Sequence, residues 1–202
     1  PYSVSGLSHG YSGIALALFK LGQVTGNEKY TKIAKKAIIE ENSMYSEAFG
    51  NWADRRLFKG RTGEERGNNP VTWCHGAAGI LLARLKIYPY VDSEFKEIIT
   101  ADISKAANTL IRLGGLKNQC LCHGQVGNLE ILFEYTKFLN DKDLKDMEHN
   151  TLIECLKRNK EYWNCGLVDG YEHYGFMLGI SGIGYSLLRR VKKELPCILN
   201  LE

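Results

Sequence analysis

Trp73-Cys74-His75-Gly76-Ala77-Ala78-Gly79-Ile80 and Cys120-Leu121-Cys122-His123-Gly124-Gln125-Val126-Gly127-Asn128 follow one pattern, a polar or sulfur-bearing turn running into Gly-x-x-Gly. The pattern occurs twice more, as Gly6-Leu7-Ser8-His9-Gly10-Tyr11-Ser12-Gly13-Ile14 and as Met177-Leu178-Gly179-Ile180-Ser181-Gly182-Ile183-Gly184. The leading glycines, Gly10, Gly76, Gly124 and Gly179, stand 48 to 66 residues apart. That spacing is too long for a hairpin turn and suits two helices with their loops. Glycine at a helix start permits a tight turn and the close approach of a neighbouring helix.

Each segment leads into a helical period. Ile14, Ala17, Leu18 and Leu21 follow the first, and Leu129, Leu132, Phe133 and Thr136 the third. Ile180, Ile183, Gly184, Leu187, Leu188 and Val191 follow the fourth. Second helices fill two of the gaps. One carries Tyr30, Ile33, Ala34, Ala37 and Ile38. The other carries Phe95, Ile98, Ile99, Ile103, Ala106, Ala107, Leu110 and Ile111, with Asp102 as a polar intruder. No period-2 strand exceeds four residues. The expectation is an all-α fold of repeated helical hairpins, a solenoid or closed ring. Asn51 to Asn69, with Arg55, Arg56, Gly60, Arg61, Gly63, Arg66 and Gly67, reads as a long surface loop.

Composition agrees. The 202 residues are 44% hydrophobic and 24% charged, with 21 glycines and 4 prolines, an ordinary globular balance that excludes collagen-like and disordered classes. No apolar run is long enough for a membrane helix. The opening Pro1-Tyr2-Ser3-Val4 is not a signal peptide and lacks a Met, so the reading is a chain that begins in mid-polypeptide or was trimmed. Lys plus Arg is 26 against 23 acidic residues. The basic pairs Lys35-Lys36, Arg55-Arg56 and Arg189-Arg190 (with Lys192-Lys193) are each read as the wet side of a helix, which argues against nucleic acid.

Chemistry concentrates in the turns. Cys122 and His123 are neighbours, which point apart on a helix, so they serve one ion only on irregular backbone; Gly124 supplies it. Cys74 holds the equivalent turn of the preceding repeat. If equivalent turns lie side by side, Cys74, Cys122 and His123 form a Cys₂His set suited to zinc, with one tetrahedral position open. The alternative is two unrelated core thiols and a surface histidine, and spacing alone does not choose between them. His9 stands where His75 and His123 stand in their repeats and is a candidate proton donor or acceptor; it equally suits a helix cap. His75 is open between a ligand's neighbour, a substrate contact and a solvent-facing residue. His149 is read as an exposed loop residue, and His173 ranks below His9. Cys120 forms a Cys-x-Cys pair with Cys122, which can bind metal, but reads first as a buried thiol; Cys155, Cys165 and Cys197 are read as thiols without a metal role. Glu130, Asp169 and Glu172 are not paired as a glycosidase would need.

With these motifs assembled, the chain resembles the lanthionine synthetase C-like cyclase family over nearly its whole length. The form Trp-Cys-His-Gly leans towards the C-terminal cyclase domain of a bifunctional class II synthetase. The resemblance implies an α/α toroid, of which residues 1–202 form a single cyclase domain truncated on its N-terminal side. It implies Zn²⁺ on Cys74, Cys122 and His123 and His9 as the catalytic proton handler; His75, next to a ligand, is assigned to the substrate by its position. The aspartate that partners this histidine in the family is assigned to no residue here. The implied reaction adds precursor-peptide cysteine thiols to dehydroalanine or dehydrobutyrine, giving thioether rings in lantibiotic biosynthesis. The implied setting is the bacterial cytoplasm, with a dehydrated precursor peptide as partner and a dehydratase domain in the same polypeptide. A second class of function keeps the zinc without catalysis, as a toroid that binds peptides or glutathione-like thiols. A third is a metal-free helical scaffold.

Overall fold

A computed structural model describes residues 3–58, 61–62, 69–159, 161–167 and 171–200; the side chains of 57, 58, 61 and 62 lie outside the description. Among the described residues there are seven α-helices: α1 (Tyr11–Thr25), α2 (Glu28–Asn42), α3 (Ala77–Ile87), α4 (Ser93–Leu113), α5 (Gln125–Leu139), α6 (Lys142–Arg158) and α7 (Ile180–Val191). Strands are two residues long. β1 (Tyr45–Ser46) pairs antiparallel with β2 (Asn51–Trp52), and β3 (Leu57–Phe58) with β4 (Arg61–Thr62). None of the described helices is long and apolar enough to cross a membrane. The chain divides into two compact units, Pro1–Leu110 and Ile111–Glu202.

The repeated glycines have one steric cause. A Cβ on the second glycine of each motif would collide with the carbonyl oxygen six residues earlier: Gly13 with Leu7 at 2.1 Å, Gly79 with Trp73 at 2.1 Å, Gly127 with Leu121 and Gly182 with Phe176 at 1.9 Å. Three leading glycines do the same, Gly10 against the Val4 carbonyl, Gly76 against that of Pro70 and Gly179 against that of His173, while Gly124 is closed off by Asn118 Oδ1 and the Cys120 backbone. Residues i and i+3 share a helix face. Gly-x-x-Gly therefore makes a bare stripe on the first helical turn, and the incoming loop lies on it backbone to backbone.

In the first unit, α1 and α2 form a hairpin. Gly26 closes α1 in the left-handed region, and the Asn27 side chain accepts from Lys29 N at 3.0 Å to start α2. The buried face of α1 is Ser12, Ala15, Leu16, Phe19 and Gly22. This departs from the expected stripe, since Ile14 is 55% exposed and Leu21 40%. The helix is apolar on most sides, and its glycines and serine cast no vote in a hydrophobic count. α4 buries Phe95, Ile99, Ile103, Ala106, Ala107 and Leu110 as expected, and α3 is enclosed over almost its whole length.

Asp102 is explained by Arg84, whose side chain is 0% exposed. Arg84 Nε donates to Asp102 Oδ2 at 2.8 Å, Nη2 to Glu41 Oε2 at 2.8 Å and Nη1 to Ser12 Oγ at 3.1 Å. Asn42 Nδ2 donates to both Asp102 oxygens. The core of this unit thus holds a cation between two carboxylates.

The segment expected as a surface loop is instead core over its first part. Asn51, Trp52, Ala53 and Asp54 are buried, and Asn51 ties the segment down. Its Oδ1 accepts from Trp52 N and Ala77 N, and its Nδ2 donates to the carbonyls of Asn69 and Pro70. Arg55 and Arg56 are on no helix: Arg55 donates to the Ser43 carbonyl, and Arg56 pairs with Asp54. Gly60, Gly63, Arg66 and Gly67 lie outside the described residues.

In the second unit, α5 and α6 form the matching hairpin, turned by Asn140 in the left-handed region and capped by Asp141, which accepts from Leu144 N at 3.0 Å. α5 buries Leu129, Leu132, Phe133 and Thr136, as their spacing predicts. His149 is exposed but helical, on α6. α7 is rotated from expectation: Gly182, Ile183, Ser186 and Arg189 are buried, while Val191 is 78% exposed. The wet-face reading of Arg189-Arg190 is wrong. Arg189 ion-pairs with Glu130 and, at 3.0 Å, with Glu134, and Arg190 meets Glu148 at 3.0 Å. Ser186 Oγ donates to Glu130 Oε2 at 2.6 Å. These carboxylates draw the arginine side of α7 inward.

Candidate metal centre

Two glycine-bounded turns of the first unit converge. Gly6, at φ +103°, has no room for a Cβ, which would stand 2.6 Å from His75 Cα and 2.8 Å from the Cys74 carbonyl oxygen. The first turn therefore abuts the second. Glu41 fixes it from below: its Oε1 accepts from Gly6 N at 2.9 Å and Ser12 N at 3.1 Å, and Ser12 Oγ donates to Oε2 at 2.6 Å. His9, exposed at the tip, stacks on His75 with ring centroids 4.6 Å apart and planes 21° from parallel. Ligand-type atoms of His9, Cys74 and His75 fall within 4.8 Å of one another.

The second turn is held by Thr72. Its N–H donates to the His75 carbonyl at 3.0 Å, and its hydroxyl accepts from His75 N at 3.2 Å and lies 3.4 Å from Cys74 Sγ. Cys74 is buried and His75 half-buried. Burial, then the positive charges of Arg56 and His9, push the His75 imidazole down to about 4, so it is neutral at physiological pH; Asp54 and a Ser5 backbone hydrogen bond oppose the shift.

In the second unit, Cys122 and His123 sit on the irregular backbone before α5, both half-buried. The segment leading to the fourth motif braces this turn. Cys122 N donates to the Met177 carbonyl at 3.0 Å and Gln119 N to that of Asn164 at 2.8 Å. His123 Nε2 lies 3.0 Å from the Gly166 carbonyl. The remaining candidates fall outside the turn tips. Cys165 Sγ accepts from His173 N at 3.4 Å, and His173 Nδ1 from Gly175 N at 2.9 Å, which keeps both within their own loop. Cys120 Sγ accepts from His123 N, and Cys155 is buried on α6, where burial pushes its thiol up. None of the six cysteines is in a disulfide. Glu130 is engaged by Arg189 and Glu172 by Trp163 N, and Asp169 lies outside the described residues.

The residues fit zinc in kind. Cys74 and Cys122 offer thiols and His123 an imidazole, all on backbone that is not helical. The residues that sequence reasoning missed are those that set the turns: Glu41, Thr72, Asn51 and Gly166. Only Asp102, an acid on an apolar face, hinted at the charged core behind them.

Residues 2–200 match the family model described as "Lanthionine synthetase C-like protein". The chain is 33% identical over 203 residues to the lacticin 481/lactococcin biosynthesis protein LcnDR2 of Lactococcus lactis subsp. lactis, covering 95% of this chain and 21% of that protein. It is similar in structure to nisin cyclase, with a TM-score of 0.70 at 20% identity, over 95% of this chain and 47% of that one. The chain thus spans about a fifth and about half of these relatives' lengths. The likeness to nisin cyclase bears out the expected fold class, all-α of the α/α-toroid type. On the match of nearly its entire length, the chain belongs to the lanthionine synthetase C-like protein family.

Proposed function

We propose that residues 1–202 are the cyclase domain, or part of one, of a lanthipeptide synthetase, and that they join precursor-peptide cysteines to dehydroalanine or dehydrobutyrine as thioether rings. Family membership supports the reaction class. The observation that carries the site is the placement of thiol and imidazole side chains at the tips of glycine-bounded turns, Cys74-His75 in one unit and Cys122-His123 in the other. In this proposal Cys74, Cys122 and His123 hold Zn²⁺ and leave one position for the substrate thiol. When bound, zinc supplies the charge that lowers a thiol pKa and makes the nucleophilic thiolate available near neutrality.

The chain's own residues do the rest. As sulfur bonds to the β-carbon, the alkene electron pair moves towards the α-carbon and its carbonyl. His9, at an exposed tip, takes up the proton that the thiol releases and delivers it to the α-carbon, so that S–H and the alkene bond are exchanged for S–C and C–H. Neutral His75 stacks behind His9, holds its ring and presents an uncharged face to the peptide. The setting proposed is the bacterial cytoplasm, beside a dehydratase domain that supplies the dehydrated peptide.

The test is elemental analysis of wild type and Cys122→Ala prepared in parallel, followed by thiol-blocking mass spectrometry of a dehydrated precursor peptide. Expected are about one zinc per chain, lost in the variant, and loss of free peptide thiols with wild type alone. His9→Ala should keep the metal and slow cyclisation roughly 10²–10⁴-fold. Folded wild type without zinc overturns the metal reading. Zinc without thiol consumption overturns the cyclase and leaves a thiol-binding toroid.

A further inference from the structure

The His123 ring makes one contact that decides its protonation pattern. Its Nε2 lies 3.0 Å from the carbonyl oxygen of Gly166, 43 residues away in sequence. A carbonyl only accepts, so Nε2 must carry the hydrogen and donate it. In the neutral ring the lone pair then resides on Nδ1.

The carbonyl is not casually placed. Gly166 N donates to the Leu178 carbonyl at 2.8 Å, and Asn164, two residues earlier, is bonded twice to Gln119: Gln119 N to Asn164 O at 2.8 Å and Asn164 N to Gln119 Oε1 at 3.2 Å. Cys165 between them is buried. The space is also specific for glycine. A Cβ at 166 would stand 2.6 Å from Cys120 Sγ and 3.1 Å from His123 Nε2. Cys120 itself accepts from His123 N at 3.4 Å, so backbone and ring of His123 are held by the same small cluster.

We infer that Gly166 is the positioning residue of the metal centre: its carbonyl locks His123 in the Nε2–H form and leaves Nδ1 as the ring atom that binds zinc. This rests on the zinc reading above for its second half only; the tautomer is a property of the metal-free protein. Partners of this kind fix ring orientation and raise ligand basicity, and their loss costs about 10–100-fold in metal affinity.

The experiment uses protein with ¹⁵N-labelled histidine. Long-range ¹H–¹⁵N correlation of the metal-free form, assigned with His123→Gln, reads the tautomer directly. A dominant Nε2–H form supports the inference, and zinc addition should then move the Nδ1 resonance while Nε2 stays protonated. A dominant Nδ1–H form, or an even mixture, overturns it. Gly166→Ala keeps the carbonyl but sets a Cβ against Cys120 Sγ and His123 Nε2, which pushes the ring off its partner and should weaken zinc binding towards the roughly 10–100-fold of a lost partner in chelator competition. If that variant fails to fold, Cys120→Ala with Gly166→Ala removes the 2.6 Å collision and keeps the tight 3.1 Å approach to the ring; Cys120→Ala alone is its control. Zinc affinity within twofold of the control overturns the positioning role. A wild type that takes up no zinc sinks the metal half together with the zinc reading, and the metal-free spectrum still decides the tautomer.

Discussion

Replacing Arg84 by methionine removes a buried cation and keeps most of its volume. The side chain is fully enclosed, and both carboxylates it serves, Glu41 and Asp102, are buried with it. The hydrogen bond to Ser12 Oγ is lost, and so are those to the two carboxylates, the latter each worth roughly 1.5–3 kcal/mol. The two together give about 3–6 kcal/mol, which agrees with the roughly 3–5 kcal/mol lost when one partner of a buried pair is deleted. Glu41 keeps its three donors at Gly6 and Ser12, and Asp102 keeps Asn42, so the middle of that range, about 4 kcal/mol, is expected. That is roughly a thousandfold in the folding equilibrium. In urea, with m of about 2 kcal/mol/M, the midpoint should fall by about 2 M at unchanged slope. The triple variant Arg84→Met, Glu41→Gln, Asp102→Asn has no unpaired charge and should recover at least half of the loss. The reasoning fails if Arg84→Met costs under about 1 kcal/mol, or if the triple variant is less stable than the single one.

Two glycines of the motifs should behave oppositely. Gly127→Ala drives a Cβ to 1.9 Å from the Leu121 carbonyl and should prevent the turn before α5 from closing, seen as loss of the folded baseline in circular dichroism; Gly184→Ala meets nothing within 4 Å and should raise stability by roughly 0.5–1 kcal/mol in urea titration. Asp54 supplies a pH dependence. Burial pushes its carboxyl up, but its hydrogen bonds and charge pairing with Arg56 prevail and hold it below the usual carboxylate range. Its stabilising effect is therefore complete above the unfolded value and is lost as pH falls through the lower folded one. Arg56→Gln removes the guanidinium's hydrogen bonds and charge while the backbone bond from residue 56 stays, so the acid-side fall in urea stability should begin at higher pH than in wild type.

The sequence was most legible where its glycines repeat, because the cause is local: a carbonyl six residues back excludes a side chain, and that leaves a mark at a fixed offset. The cysteine and histidine positions could be listed for the same reason, since they occupy one offset from those glycines. Helix faces were harder. On α1 apolar residues populate several sides, and the buried face is chosen partly by Ser12 and Gly22, which a hydrophobic pattern ignores. On α7, Arg189 and Arg190 sit beside Lys192-Lys193 and look solvated, but Glu130 and Glu134, one turn apart on the enclosed α5, call for cations. Glu41 and Gly166 were illegible. Each acts on residues 29 to 43 positions away through atoms that carry no motif.

The glycine stripes also separate what the turns are from what they carry. Each loop is seated by main chain on main chain, so the residues just ahead of the leading glycine contribute little to the seating. One seat displays Ser8-His9, the next Cys74-His75, the third Cys122-His123 and the last Met177-Leu178. A chain built this way can exchange the reactive groups at one seat without renegotiating the helix below it. The fourth seat, with its thioether and aliphatic side chains, is the same socket holding no chemistry.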